Sequence, residues 1–303
     1  MPPELAALLQ YLKITIDEFT VVESKYFTRL KELLVFHKIV TPSAKVNRSN
    51  FTAAVKKFQS TIMAQANPDG VPGANTLWAM QKDWAKSRGL TLVKTGIPVD
   101  PFAGAPLPFQ LRSDVVPHYK NLYKEIHSQG GLLTSAGSLR PLSVVAGPGQ
   151  SATSMHYTGL AFDMHTGSGM NNLKSDAFII EKKGTRNWTV WAKTTPPKGT
   201  SQSLNAITYN SSAKAVKTTA ITAQVINFTE AARKNGFSDI GRRSCFPATY
   251  MCAEWWHFQC EEVLVPYISQ FGAELLTIYT EAKLTANAPI WAARQKIYGK
   301  DWN

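Results

Sequence analysis

The sequence predicts an α+β protein made of two domains, the first helical and the second containing both strands and helices. Apolar residues recur every three or four positions between about 20 and 90, as in YFTRLKELLVFHKIV, which is typical of amphipathic helices. Apolar and β-branched runs separated by loops, as in DAFIIEKKG and NWTVWAKTT, predict strands between about 176 and 222. The length of 303 residues is sufficient for two domains.

The helical domain is predicted to occupy residues 1–90 and to lead into a proline-rich linker at 91–112. The prolines of this linker lie close together, at Pro98, Pro101, Pro106 and Pro108. Proline at this density cannot continue a helix or a central strand, so we expect a semi-rigid connection.

The second domain is predicted to span 113–265. It opens with HYKNLYKEIHSQGG, a helix ended by paired glycines, and continues with LLTSAGSLRP, a strand that runs into a turn. Further on, AQVINFTEAARKNGF predicts a helix that stops at Gly236, and YMCAEWWHFQC predicts a strand. The C-terminal extension, 266–303, is predicted to form helices that pack on one of the two domains, with membrane contact and self-association as the alternatives.

The composition, 44% hydrophobic and 18% charged, is that of a folded globular protein. The formal charge of +12 favours association with a polyanion, such as nucleic acid, anionic lipid or the acidic bacterial wall. No specific nucleic-acid partner is expected, because the basic residues are scattered and no RNA-binding, basic-zipper or zinc-finger spacing occurs. The sequence predicts no particular oligomeric state.

Neither a signal peptide nor a transmembrane segment is predicted. The N-terminal stretch MPPELAALLQYLKITIDEFT lacks a basic start, and polar residues interrupt its apolar ones. No uninterrupted apolar run reaches the length of about 18 residues that a membrane-spanning helix needs. We therefore expect synthesis in the cytoplasm, followed either by retention there or by exit through a route that the sequence does not encode.

The three cysteines are Cys245, Cys252 and Cys260. Their spacing of seven and eight residues does not fit the CxxC pairs of a structural zinc site, and an odd number cannot all pair within one chain. Buried thiols, or at most one disulfide, are expected rather than a thiol-based active site.

The stretch SMHYTGLAFDMH carries the first half of a candidate metal site. His156 and Asp163 are seven positions apart, and Gly159 between them permits a tight chain reversal through which both side chains can converge. Nitrogen and oxygen ligands of this kind suit zinc.

The second half is predicted in the distant sequence EWWH. Glu254 and His257 are three positions apart, and a bend of the backbone there would let both reach one metal region. One would be a ligand and the other would lie just outside the coordination shell. Three protein ligands with a fourth position open to water are typical of catalytic zinc, and a neighbouring carboxylate can accept a proton from that water.

Two segments of the helical domain resemble the peptidoglycan-binding domain of bacterial and phage wall hydrolases. They are AVKKFQ, from Ala54 to Gln59, and DGVPGANT, from Asp69 to Thr76. The resemblance implies a module of three helices that binds peptidoglycan.

The metal motifs resemble those of the zinc D-Ala-D-Ala peptidase family, which are SxHxxGxAxD, here at 154–163, and ExWH, here at 254–257. The family includes D-Ala-D-Ala dipeptidases, D,D-carboxypeptidases and phage L-alanyl-D-glutamate endopeptidases. It shares its fold with lysostaphin-type peptidases and the signalling domain of hedgehog proteins. The resemblance covers about 113–265 and implies an α+β domain built on a small antiparallel sheet.

This resemblance implies roles for individual residues. One zinc ion per catalytic domain would be bound by His156, Asp163 and His257, with Glu254 as the general base. Arg140, in SAGSLRP, corresponds to an arginine at a strand end that stabilises the oxyanion of the tetrahedral intermediate. An exposed surface arginine is the alternative for Arg140.

Three further residues are candidates for contact with the substrate. Ser154 either hydrogen-bonds the site or the substrate, or supports the turn. Trp256 is expected to pack near the site and support His257, a role compatible with a place in the core. His165 follows Asp163 by two positions, which gives it the same face if the strand is regular. Ordinary packing or solvation is expected for the other histidines, which are His37, His118 and His127.

The resemblance thus predicts an endolysin-like, bacteriolytic zinc metallopeptidase that hydrolyses an amide bond in the peptide stem of peptidoglycan, of the L-alanyl-D-glutamate endopeptidase type. The alternatives are a D-alanyl-D-alanine carboxypeptidase and a non-catalytic wall-binding protein with a structural zinc. Such an enzyme would act on the wall in the periplasm or outside the cell, either after release through a holin or after delivery as an effector.

Overall fold

The computed structural model describes residues 1–95, 110–144 and 151–299. Within these ranges the protein has nine α-helices and small antiparallel sheets, which confirms the α+β class. The chain divides into two compact units. The helical unit comprises Met1–Thr91, Leu142–Ser154 and Leu264–Asn303, and the mixed unit comprises Leu92–Pro141 and Met155–Val263.

The helices are, in chain order, α1 (Pro3–Leu12), α2 (Ile16–Phe36), α3 (Phe51–Thr61), α4 (Ala74–Ser87), α5 (Val116–Ser128), α6 (Phe228–Lys234), α7 (Phe271–Leu276), α8 (Glu281–Thr285) and α9 (Ala288–Ala292). The strands are β1 (Leu92–Lys94), β2 (Gln110–Arg112), β3 (Ala161–Asp163), β4 (Phe178–Lys183), β5 (Asn187–Lys193), β6 (Thr200–Asn210), β7 (Ala215–Asn227), β8 (Phe237–Asp239) and β9 (His257–Cys260).

The longest helix, α2, begins at a capping box. The hydroxyl of Thr15 accepts a hydrogen bond from the backbone N–H of Glu18, and the carboxylate of Glu18 accepts one from the backbone N–H of Thr15. Two donors that a helix start leaves unpaired are thereby satisfied. The apolar residues that recur along α2 form a buried face, which consists of Phe19, Tyr26, Phe27, Leu30, Leu33 and Leu34. The core of the helical unit includes this face.

A buried glutamine joins the two segments that resemble the peptidoglycan-binding domain. Nε2 of Gln59 donates to the carboxylate of Asp69 at 2.6 Å and to the hydroxyl of Thr76 at 3.2 Å. Oε1 of Gln59 accepts from the backbone N–H of Gly70 at 2.8 Å. Gly70 has a φ of 75°, which a residue without Cβ adopts most easily. These residues fix the turn that leads into α4.

The C-terminal segment packs within the helical unit. Val265, Tyr267 and Ile268 belong to the same core as the apolar residues of α1 to α4. Nε2 of Gln81, in α4, donates to the carbonyl oxygen of Ile268 at 2.8 Å. Of the helices that the structure describes, none combines the length and the apolar character needed to span a bilayer.

The mixed unit contains α5, α6 and the nine strands of the described residues. Strands β3, β9 and β8 form a three-stranded antiparallel sheet with β9 in the centre. Strands β4, β5, β7 and β6 close into a barrel, and β6 and β7 form its long hairpin. The chain passes through the whole barrel between β3 and β9, so two neighbouring strands of the small sheet are far apart in sequence.

The predicted linker, 91–112, is extended at both ends. Its first and last residues form β1 and β2, which pair antiparallel with Val93 opposite Leu111. The four prolines of the segment lie outside the described residues. Two strands of three residues each have no periodicity that a sequence pattern could reveal, because each is defined by its partner.

Two predicted elements of the mixed unit differ in the structure. Residues 223–227, predicted as the start of a helix, form the end of β7, and α6 begins only at Phe228. Pairing with β5 and β6 overrides the local helical pattern there. The predicted strand in LLTSAGSLRP is irregular and contains a single bridge, between Gly137 and Asp163.

The predicted strand YMCAEWWHFQC is regular only over its last four residues, which are β9. A 3-10 turn at Tyr250–Cys252 and a second turn at Trp255 and Trp256 precede it. The indole N–H of Trp188 donates to the carbonyl oxygen of Ala253 at 2.7 Å and holds this irregular segment. The backbone thus turns before β9, and the prediction of a strand is wrong for Trp255, Trp256 and the residues before them.

Cys245 and Cys252 form a disulfide, and Cys260 is a buried free thiol. Burial raises the pKa of Cys260 to about 12. Since the thiolate is the nucleophilic form, Cys260 is inert at neutral pH. The expectation of at most one disulfide and no thiol-based active site agrees with this arrangement.

Candidate metal centre

The pairing of β3 with β9 brings two of the predicted ligands together. Asp163 is the last residue of β3 and lies directly opposite His257, the first residue of β9. Opposite residues of an antiparallel pair point to the same face with their Cβ atoms about 5 Å apart. The two side chains therefore meet although 94 positions separate them.

The third predicted ligand, His156, lies in a 3-10 turn at Met155–Thr158. Gly159 follows with a φ of 69°, and the backbone N–H of Leu160 bonds back to the carbonyl oxygen of Met155. A Cβ at Gly159 would lie 3.0 Å from the backbone nitrogen of Arg112, so a larger residue has no room. The glycine thus makes the reversal that returns the chain from His156 into β3.

The three ligand atoms form a compact triangle. Oδ1 of Asp163 lies 3.2 Å from Nε2 of His156 and 3.0 Å from Nδ1 of His257, and the two nitrogens are 3.1 Å apart. A tetrahedral zinc ion with bonds of about 2.0–2.2 Å requires ligand atoms roughly 3.3–3.6 Å apart. The triangle meets this requirement after shifts of a few tenths of an ångström. The His156–Asp163–His257 group can therefore hold a metal ion.

The far sides of both imidazole rings are also engaged. Nδ1 of His156 lies 2.7 Å from the carbonyl oxygen of Ser138, to which it donates, and this leaves Nε2 for the metal. Nε2 of His257 lies 3.4 Å from Oε1 of Gln259, and Nε2 of the same glutamine donates to the carboxylate of Glu261 at 2.7 Å. Such outer partners fix the tautomer and the orientation of metal-binding histidines.

The charges of the group are strongly coupled. Burial alone disfavours a charged His156, but the Asp163 carboxylate more than offsets this and raises the pKa of His156 above its ordinary value. Burial also opposes the charge on Asp163, yet His156 and His257 hold the pKa of that carboxyl well below its usual range. Both shifts have the same direction: they favour a proton on His156 over a proton on Asp163.

Glu254, the predicted general base, is not a member of the three-residue metal group. Its carbonyl oxygen accepts a hydrogen bond from the backbone N–H of His257 at 3.1 Å. Its backbone has a φ of 56°, an uncommon conformation for a residue with a side chain. Its carboxylate forms an ion pair with Nε of Arg243 at 2.7 Å.

Arg140, the predicted oxyanion-stabilising residue, lies next to His156. Its backbone N–H donates to the carbonyl oxygen of His156 at 3.1 Å, and its guanidinium lies over the ring of Tyr157 at 5.4 Å. Its positive charge opposes protonation of His156. Arg140 thus acts to lower the pKa of His156, whereas Asp163 acts to raise it. Its buried Nη1 has no hydrogen-bond partner within the described ranges, so one donor is left for another group.

The three residues considered for substrate contact lie in different settings. Ser154 directly precedes the 3-10 turn and donates its backbone N–H to the carbonyl oxygen of Ser151. Trp256 is only 2% exposed, and its carbonyl oxygen accepts from the backbone N–H of Met164, which ties the two motifs together. Because Trp256 is buried, a role in supporting the site is favoured over contact with the substrate. His165 lies beyond the end of β3, so the condition of a regular strand is not met.

The other three histidines do not belong to the metal group. His37 contacts the carbonyl oxygen of Met80, His118 contacts that of Asn235, and His127 stacks on Tyr123. These are packing contacts, as expected.

Sequence reasoning missed Ser138, Gln259 and Arg243. Gln259 could have been predicted from the sequence, because it follows His257 by two positions in β9 and alternation places both on the same face. Ser138 acts through its backbone carbonyl, and Arg243 lies in an irregular loop, so neither has a sequence signal.

No protein-family model, curated protein or solved structure matches the chain in comparisons with known proteins.

Gly159→Ala is expected to reduce the free energy of unfolding of the metal-free protein by about 2–4 kcal/mol, from the left-handed backbone and the contact with Arg112. Gly184 also has a positive φ, of 64°, but no atom lies within 4 Å of a Cβ there. Gly184→Ala should therefore lose only about 1 kcal/mol. Denaturant unfolding measures the free energy of unfolding of both variants. Equal losses would show that the close approach of Gly159 to Arg112 has no effect on stability.

Zinc is expected to bind with a stoichiometry of one and to raise the melting temperature of the wild-type protein, because it binds only the folded chain. His156→Ala and His257→Ala should each abolish both effects. His165→Ala is the matched control, and it should retain zinc. Metal analysis measures the zinc content of each variant, and thermal melts measure the stabilisation by zinc. Zinc retained by His156→Ala would reject the proposed ligand set.

Zinc affinity is expected to rise with pH. Because the pKa of His156 is raised, the metal-free protein carries a second ring proton, on Nε2, below that pKa, and zinc must displace it. Below the pKa, affinity should fall by about tenfold per pH unit, and above it this dependence should disappear. Competition with a chromophoric chelator, corrected for protonation of the chelator, measures the slope. A flat profile would show that no ligand loses a proton.

Proposed function

We propose that the protein is a zinc-dependent peptidoglycan peptidase that hydrolyses an amide bond of the peptide stem. The observation that carries the proposal is the group of two imidazole nitrogens and one carboxylate oxygen, all within 3.2 Å of one another, with a separate glutamate three residues before His257. A structural zinc site is closed by four protein ligands, whereas a catalytic one has three. The donor set and the motif spacing support the same function.

His156, Asp163 and His257 would hold the metal, which fits their donor chemistry and spacing. Bound zinc supplies a water of lowered pKa and a Lewis acid for the amide carbonyl. The hydrogen bonds from His156 to Ser138 and from His257 to Gln259 keep the two ligand nitrogens directed at the metal.

Glu254 is proposed as the general base. It lies outside the ligand group but is tied to His257 by a backbone hydrogen bond. Its carboxylate would accept a proton from the attacking water and pass it to the leaving amine. A purely structural zinc site does not need such a residue.

Arg140 is proposed to stabilise the negative charge that develops on the carbonyl oxygen. Its buried Nη1, which has no hydrogen-bond partner in the part of the chain that the structure describes, supports this role. A preorganised donor directed at a developing charge stabilises the transition state by about 3 kcal/mol.

The wall as target is supported by the charge of the chain, +12, which favours binding to a polyanionic sheath. The helical unit is proposed to bind peptidoglycan, on the strength of AVKKFQ and DGVPGANT. Access to the wall would come from release through a holin or from delivery as an effector.

The decisive experiment is digestion of purified sacculi by the zinc-loaded protein. Glu254→Gln is expected to lower the rate by about 10²–10⁴-fold, because it removes the base, while zinc content and melting temperature stay unchanged. Glu230, in the first turn of α6, supplies the matched control. Glu230→Gln should digest sacculi at the wild-type rate. Undiminished digestion by Glu254→Gln would refute the mechanism.

The same digests separate the two peptidase activities. New L-Ala carboxyl and D-Glu amino termini, identified by mass spectrometry, are expected for the endopeptidase. Free D-Ala as the sole product would assign a D,D-carboxypeptidase instead, and no product at all would assign a wall-binding protein.

A further inference from the structure

A disulfide closes the loop that precedes β9, and two charged residues flank it symmetrically. Arg243 comes two positions before Cys245, and Glu254 comes two positions after Cys252. Nε of Arg243 lies 2.7 Å from Oε1 of Glu254. The ion pair therefore lies just outside the point where the disulfide joins the two arms of the loop.

The backbone holds the two arms together at the same point. The N–H of Arg243 donates to the carbonyl oxygen of Cys252 at 2.8 Å. Within the loop, the N–H of Thr249 bonds to the carbonyl oxygen of Cys245, and the N–H of Cys252 bonds to that of Thr249. Covalent and hydrogen-bonded contacts thus fix where Arg243 lies relative to Glu254.

Glu254 needs such support. A non-glycine residue in the left-handed region costs roughly 1–3 kcal/mol and persists only where its surroundings impose it. Its side chain is 12% exposed, against 30% for Arg243. A mostly buried carboxylate requires an opposite charge, and without one it would turn toward solvent.

We propose that Arg243 is the positioning residue of Glu254, and that the Cys245–Cys252 disulfide holds Arg243 in place for this role. The inference rests on the proposed function of Glu254 as base. Arg243 fixes the orientation of the carboxylate through this ion pair. Opening the disulfide removes the covalent link between the arms and leaves only the backbone hydrogen bonds to hold Arg243 in place.

The first test compares Arg243→Ala and Arg243→Lys on sacculi or a soluble stem peptide. For Arg243→Ala, kcat is expected to fall about 10- to 100-fold with KM and zinc content nearly unchanged, as for other residues that orient an active-site group. Arg243→Lys should recover part of kcat because it keeps the charge. Arg242→Ala is the matched control, since among the described residues its side chain donates to the carbonyl oxygens of Thr185 and Phe246 and not to Glu254.

A double-mutant cycle with Glu254→Gln separates positioning from general stability. Arg243→Ala should cause no further loss of kcat in the Glu254→Gln background. Affinity for a phosphinate analogue of the stem-peptide amide, measured by calorimetry, supplies a readout that does not need turnover. Arg243→Ala should weaken this affinity when Glu254 is present and leave it unchanged in the Glu254→Gln variant.

The disulfide is tested with Cys245→Ser/Cys252→Ser and with a phosphine. The phosphine opens the bond by taking up one oxygen from water, which leaves two thiols and a phosphine oxide. Wild-type kcat should fall on reduction, with zinc retained. The double-serine variant should start at the reduced value and not respond to phosphine, although it still contains Cys260.

The outcomes are distinguishable. An inactive wild-type protein would overturn the proposed function and this inference with it. An active wild-type protein with unchanged kcat in Arg243→Ala, or equal losses in both Glu254 backgrounds, would overturn the inference alone. If Arg243→Ala loses zinc or cooperative unfolding, Arg243→Lys and Arg243→Gln take its place in the cycle. Full kcat in the double-serine variant would overturn the role of the disulfide.

Discussion

The candidate site depends on one register, the antiparallel pairing in which Asp163 lies opposite His257. A slip of one residue would turn every β9 side chain to the other face of the sheet and remove His257 from the group. Strand β9 is paired on both sides, with β3 and with β8, so the register is fixed twice. The Asp163 carboxylate then serves as the common neighbour of both imidazoles.

Around this pairing, irregular backbone segments orient the side chains of the site. Gly159 and Glu254 both have positive φ angles, one before β3 and the other before β9. The first makes the reversal that presents His156, and the second lies in the turn that leads to His257. Regular strands set the distance between the two motifs, and the turns set the direction of the side chains.

Local patterns were sufficient for much of the fold. The 3.6-residue period between about 20 and 90 identified α2, α3 and α4, and the apolar and β-branched runs identified β4 and β5. Ala223–Asn227 was misassigned because AQVIN is compatible with both periods, and its strand conformation comes from pairing with β5 and β6. LLTSAGSLRP was misassigned because, within the described residues, it forms one isolated bridge to the end of β3 and no continuous ladder. The ligands were predictable from motif spacing, whereas Ser138 and Arg243 act through contacts across the fold that no local pattern records.

The barrel between the two motifs has a consequence for how the site assembles. His156 and Asp163 are seven positions apart, whereas Asp163 and His257 are 94 positions apart. Closing the longer loop costs about 2 kcal/mol more in chain entropy, since the cost grows with the logarithm of loop length. An unfolded or partly folded chain therefore offers a metal ion only the local pair. The complete ligand set exists only after β9 has paired with β3 across this longer loop, so tight metal retention reports the formation of that pairing.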